Sequence, residues 1–280
     1  MLGALIIVFR EVIEAGLIVG IALAVTRGVA GSRSWIAGGV AAGVAGALLV
    51  AVFAEQLSAA VAGRGQELFN ATILGLAVLM LAWHNIWMAR HGRELAQELS
   101  DVGRAVAAGD RTFVALAVVV GVAVLREGAE VVLFLYGILV SGESGMNVVL
   151  GGFAGLGLGA LLSVLTFYGL VVIPPRRLFA VTSVLVTLLA AGLASQSISF
   201  LQQAGVATAL SQTMWDTSSI LPDNSLLGRV LHTLVGYSDQ PSVMQGLVYA
   251  GTVAAIVFAT RLAAPAPRPR PPAAIGTPAE

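Results

Sequence analysis

The polar residues of this chain fall in clusters that separate seven long apolar runs, near residues 2–26, 35–54, 68–89, 112–140, 148–173, 178–201 and 242–262. Each run has about the 20 residues a helix needs to cross a hydrocarbon layer at 1.5 Å per residue. None shows the alternation of a membrane-barrel strand, and all are too long for buried strands. The pattern predicts an all-α integral membrane protein with seven transmembrane helices. The first run is not read as a signal peptide. It has no basic start and no clear small-residue cleavage site, and it carries Arg10, Glu11 and Glu14 at its centre, so it is expected to be a retained helix.

The connections add detail. Residues 90–111 are polar but keep helical charge spacing, which predicts an extension of the third helix. Residues 202–241 form the longest connection, with a turn at Pro222-Asp223-Asn224 and short amphipathic helices expected within it. Residues 1–262 read as one transmembrane domain, and 263–280 as a proline-rich, disordered tail.

Composition agrees: 58% of residues are hydrophobic, only 11% are charged, and the mean hydropathy is +0.92. Soluble chains carry roughly 25% charge, so lipid is the expected solvent. With no cysteine, disulfides, thiolate metal sites, iron–sulfur clusters and cysteine nucleophiles are excluded. The three histidines, His84, His91 and His232, argue against a bis-histidine haem protein. No permanently bound cofactor and no nucleic-acid partner are expected.

All fifteen basic residues are arginine. Alternating sides through seven spans puts Arg27, Arg33, Arg90, Arg93, Arg104, Arg111, Arg176, Arg177, Arg261, Arg268 and Arg270 together, and only Arg64 and Arg229 opposite them. Basic loops stay in the cytoplasm. The chain is therefore expected in the cytoplasmic membrane with its N-terminus outside and its C-terminus inside. The outer loops then hold Glu55, Glu67, Glu143, Asp216, Asp223 and Asp239. That acidity either attracts cations or simply reflects the retention of arginine on the other side.

Arg10 and Arg126 lie inside spans. Arg10-Glu11-Val12-Ile13-Glu14 in the first run is repeated as Arg126-Glu127-Gly128-Ala129-Glu130 in the fourth. Each is followed by a run with small residues at every fourth position: Gly39, Gly43 and Ala47, then Gly151, Gly155 and Gly159. Three spans per copy reverse the entering side. This predicts an inverted 3+3 repeat, with repeat 1 about 1–90, repeat 2 about 112–201, an outer loop 202–241 and an added last helix 242–262.

Each mid-span charge costs about 2.5–3.5 kcal/mol, so six unpaired ones would cost on the order of 15–20 kcal/mol. Positions three and four apart share a helix face, so Glu11 and Glu14 point together, Arg10 reaches Glu14, and the second copy does the same. One reading is that the pairs only lock packing; another is a proton relay. Two arginines leave two of the four carboxylates unneutralised, however, which favours a cation held by Glu11, Glu14, Glu127 and Glu130, with Arg10 and Arg126 as charge partners. Oxygen ligands select hard ions such as iron, manganese, magnesium or calcium.

Two R-E-x-x-E copies in a seven-span chain resemble the iron permease family, which includes the fungal high-affinity iron permease and the bacterial EfeU-type iron transporter. REGAE is one residue from the family's REGLE; REVIE keeps Arg10, Glu11 and Glu14. Gln66-Glu67-Leu68-Phe69, Trp83, Trp87-Met88, Trp215-Asp216-Thr217-Ser218, Leu226-Leu227-Gly228, Gly236-Tyr237 and Pro241-Ser242 also match the family's patterns. The resemblance implies iron uptake across the cytoplasmic membrane, with the motif glutamates binding Fe2+ or Fe3+ as substrate. It also implies a periplasmic or extracellular iron-binding or iron-oxidising partner. Glu67 and Asp216 are candidate ligands at an outer entrance, and His84 is a candidate exit step towards the cytoplasm. Each also has a plainer reading: a helix first-turn acid for Glu67, a cap for Asp216, and a packing pair with Asn85 for His84. Two other functions fit the residues: proton-coupled transport of another hard cation, Mn2+ or Ca2+, or a membrane subunit that carries nothing itself.

Overall fold

The computed structural model describes residues 1–61, 65–169, 175–223 and 225–263. Eight helices account for most of them: α1 Leu2–Val25, α2 Ser32–Val61, α3 Gln66–Ala108, α4 Phe113–Val140, α5 Gly145–Phe167, α6 Pro175–Gln203, α7 Leu226–Val235 and α8 Val243–Ala263. There is no strand among the described residues beyond one isolated bridge, Thr213 to Ser242. Five helices contain stretches long and apolar enough to cross a membrane: Ser32–Gln56, Gln66–Met88, Gly145–Phe167, Ala180–Gln203 and Val243–Ala263. The protein is thus an all-α, multi-pass membrane chain. Helices α1 and α4, of 24 and 28 residues, are long enough too, but each carries three charges at its centre. The expected tail lies almost wholly outside the described residues.

Helix ends follow local chemistry. The Thr112 and Ser144 hydroxyls accept from the backbone N–H of Ala115 and Asn147, capping α4 and α5. Helix α5 ends at Phe167, earlier than the apolar run suggests, because the chain turns through Gly169 at φ +72°. Helix α3 continues without a break through the polar stretch to Ala108 and is about 65 Å long. Its extension buries Leu99, Val102 and Val106, and Gly103 lies against Val25 at the end of α1. In the long connection, α7 is the short amphipathic helix expected there. Its closing Gly236, at φ +70°, meets Gly192 of α6 so closely that a methyl on Gly192 would lie 2.7 Å from the Gly236 Cα.

Helix α1 packs along α5, α2 along α4, and α3 along α6, with α8 against α6 and α3. The small-residue rows are where the backbones meet. A methyl on Gly39 or Gly43 would lie 2.5 or 2.7 Å from the carbonyl oxygen of Ala117 or Gly121 in α4. One on Gly155 would lie 2.5 Å from the carbonyl of Leu5 in α1, and Gly151 and Gly159 press on Met1 and Phe9.

Two apolar clusters form along the bundle. One joins Ala4 and Ile7 of α1 to Leu74, Ala77 and Leu81 of α3 and Phe134 and Ile138 of α4. The other joins Ala22 of α1 to Ile36, Val106, Leu116, Val120 and Val124. The start of α1 thus meets the end of α4 and the reverse, so these helices run antiparallel. Between the two clusters, at residues 10–14 and 126–130, lies a layer of charge.

Candidate metal centre

Arg10, Glu11, Glu14, Glu127 and Glu130 are all buried. The i,i+4 spacing works as expected: Arg10 Nε donates to Glu14 Oε1 at 2.9 Å and Arg126 Nε donates to Glu130 Oε1 at 3.1 Å. Arg10 Nη1 also lies 4.0 Å from Glu11 Oε1. The two copies differ in setting. The Arg10 side chain is 3% exposed and that of Arg126 is 34% exposed, with its guanidinium stacked 4.1 Å from the Trp87 ring centre.

Single ligand atoms from Glu11, His84, Glu127 and Glu130 all lie within 4.8 Å of one another. Opposed ligands around an ion with bonds of 2.0–2.6 Å stand about 4–5 Å apart, so this spacing fits one cation with little rearrangement. Among the described residues, nothing meets the buried Oε2 atoms of Glu11, Glu14 and Glu127 in hydrogen-bond geometry. Such acceptors are costly in a dry interior unless a proton or cation satisfies them.

His84 is the residue whose position differs most from expectation. Instead of forming a step beyond the carboxylates on the cytoplasmic side, it lies among them. Its Nε2 is 3.5 Å from Glu14 Oε2 and 3.9 Å from Glu11 Oε2, and its Nδ1 meets Glu130 Oε2. The cause is register. Ala77 lies against Gly137, and seven residues on in α3 and seven back in antiparallel α4, His84 meets Glu130. Gln66 is eleven residues before Ala77, whereas Val140 is only three beyond Gly137. Helix α3 therefore starts about 12 Å above the end of α4, and depth counted from its first residue overshoots. Asn85, one position on, faces α6: its Nδ2 donates to Thr187 Oγ1 at 3.0 Å, and Ser183 Oγ donates to its Oδ1 at 2.5 Å.

The two candidate entrance residues stand apart from the cluster. Glu67 is exposed in the first turn of α3. Asp216 is exposed in the connection before α7; its Oδ1 accepts from the Ser218 backbone N–H and hydroxyl, and its Oδ2 from Gln240. The Ser218 hydroxyl, then its N–H and Gln240, hold the Asp216 carboxyl below its usual range. Nearby, Asp223 and Asp239 exchange backbone N–H to carboxylate bonds at 3.1 and 3.0 Å. Burial, then the charge of Asp239, pushes the Asp223 carboxyl up.

Residues 1–266 match the family model described as "Iron permease FTR1 family". The chain is 31% identical over 249 residues to the ferrous iron permease EfeU of Escherichia coli O6:H1, covering 87% of this chain and 89% of that protein. It is 30% identical over the same shares to EfeU of Escherichia coli O157:H7. Against EfeU of Yersinia pestis it is 29% identical, covering 87% of each chain. No solved structure matches the chain.

Proposed function

Because the chain belongs to the iron permease FTR1 family, which comprises transporters rather than enzymes, we propose that it carries iron into the cell and binds it at Glu11, Glu14, Glu127 and Glu130. The observation that carries this reading is the convergence within 4.8 Å of Glu11, Glu127 and Glu130, from two antiparallel helices, with His84, and with Glu14 beside them 3.5 Å from His84 Nε2, in a layer bounded by apolar clusters. Four ionised carboxylates and two guanidinium groups sum to −2, which one Fe2+ neutralises. That charge balance also suits the name of the relatives, ferrous iron permeases.

In this reading seven helices cross the membrane and α7 does not. Helices α1 and α4 join the five apolar ones because their six charges are buried inward or paired. The pairing of α1 with α5 and α2 with α4, with α3 on α6, supports an inverted repeat that exchanges its first two helices. The arginine distribution supports an outer N-terminus and an inner C-terminus. Glu67 and Asp216 then face the compartment from which iron arrives, where a periplasmic or extracellular iron-binding or iron-oxidising protein would deliver it. Apolar closure on both sides of the charge layer favours alternating access over a standing pore.

The test is uptake of iron-55 in an iron-starved strain lacking its own iron transporters. Expression of this chain restores uptake, and the double variant Glu14→Ala, Glu130→Ala abolishes it while still reaching the membrane. Full uptake by that variant rejects the site. Manganese and calcium are the competing cargoes for an oxygen-rich site; proteoliposome uptake of either in preference to iron rejects iron as cargo.

A further inference from the structure

The four glutamates come in repeated pairs, but the fifth member of the cluster does not. His84 is donated by α3, while α6, its counterpart in the second half, presents Ser183 and Thr187 and uses them to hold Asn85. Adjacent helical residues point about 100° apart. Fixing Asn85 towards α6 therefore turns His84 towards α1 and α4. The imidazole is 2% exposed, and its neighbours Glu11, Glu14 and Glu130 come from both motifs. His232 shows the ordinary alternative, with Nδ1 2.7 Å from the backbone oxygen of Tyr237. Among the described residues, neither ring nitrogen of His84 has such a neutral partner.

We propose that His84 contributes an imidazole nitrogen to the transported ion and makes this a mixed carboxylate–imidazole site, selective for transition metals over calcium and magnesium. The inference rests on reading the cluster as the transport site. Glu11, Glu127, Glu130 and His84 supply three oxygens and one nitrogen within 4.8 Å. Calcium and magnesium take oxygen ligands, and a site of carboxylates alone suits them well. Imidazole suits iron, zinc, copper and nickel. Replacing one oxygen donor with a ring nitrogen shifts preference away from the hard ions. The Asn85 bonds to Ser183 and Thr187 fix the ring's direction, as outer partners commonly do for metal-ligating side chains.

The experiment uses the purified full-length chain loaded anaerobically with Fe2+. X-ray absorption at the iron edge reads the ligands, and equilibrium binding with Ca2+ as competitor reads the preference. The expected spectrum contains the outer-shell scattering of one imidazole, which His84→Gln removes. His84→Gln also weakens Fe2+ by roughly 10–100-fold while changing Ca2+ much less, so the iron-to-calcium preference narrows by about tenfold or more. An oxygen-only shell around bound iron overturns the proposal, and so does an imidazole signal or an iron-to-calcium ratio that survives His84→Gln. Should His84→Gln fail to fold, the spectrum of the unsubstituted chain decides alone. Glu11→Gln, Glu127→Gln separates the two levels. Loss of iron binding in that variant together with an oxygen-only native shell rejects His84 and leaves the transport site standing; unchanged iron binding rejects the site and the inference together.

Discussion

Gly155→Ala tests whether helix packing sets the geometry of the candidate metal centre. The new methyl would lie 2.5 Å from the Leu5 carbonyl oxygen, 2.9 Å from the Phe9 nitrogen and 3.0 Å from the Val8 Cβ. Two of these are backbone atoms, so no change of rotamer relieves the contact. A carbon–oxygen contact is comfortable from about 3.3 Å, so α1 and α5 must separate by about 0.8 Å. Overpacking of this kind destabilises by about 1–3 kcal/mol. Helix α1 also carries Glu11 and Glu14, one to two turns beyond the contact, whereas metal bonds tolerate only about ±0.2 Å. The expected result is a modest loss of thermal stability in detergent and a disproportionate loss of iron-55 uptake, roughly tenfold or more. Gly157 is the control: it lies on the same helix, and among the described residues nothing comes within 4 Å of its missing methyl. Gly157→Ala keeps uptake and gains up to about 1 kcal/mol from helix propensity. Native stability and uptake in Gly155→Ala would refute the reasoning.

The two arginines separate by burial. Arg10→Gln leaves Glu14 without its partner in a dry setting and is expected to cost about 3–5 kcal/mol; Arg126→Gln, at a more open pair, costs about 1–2 kcal/mol with its aromatic stack included. Thermal unfolding of the two variants checks this, and equal losses would contradict it. In the connection before α8, the raised pKa of Asp223 means that its contribution is fully present below the unfolded carboxyl value and is lost as pH rises through the folded one. Asp223→Asn keeps an acceptor for the Asp239 N–H and removes the partly buried charge. Hydrogen exchange at Asp239 is therefore expected to slow near neutral pH in this variant; faster exchange would count against it.

The helical architecture was readable because each apolar run is longer than any strand and bounded by charges. The polar stretch at 90–108 was readable as helix from charge spacing alone, and the rows Gly39-Gly43 and Gly151-Gly155-Gly159 foretold which faces touch. The end of α5 was misplaced because hydropathy continues past Gly169, where the backbone turns. Gathering Glu11, Glu14, Glu127 and Glu130 in one layer followed from the energetic penalty of mid-span charge. The position of His84 did not, because a residue's depth along its own helix says nothing about how far that helix is shifted against its neighbours. The Ala77–Gly137 contact carries that information, and it is long-range. A signal was nonetheless present: an adjacent His-Asn pair deep in an apolar run is itself a mid-span polar cluster.

Phe134, Leu74 and Leu81 on one side of the carboxylates, and Leu116 and Val120 on the other, are almost wholly withdrawn from the surface. Water threads poorly through such constrictions. On the proposed transport reading these side chains work as an airlock, stoppering both faces of the site so that protons and alkali ions are held back while iron passes. Widening one plug, for instance at Phe134, is then expected to open an electrical leak.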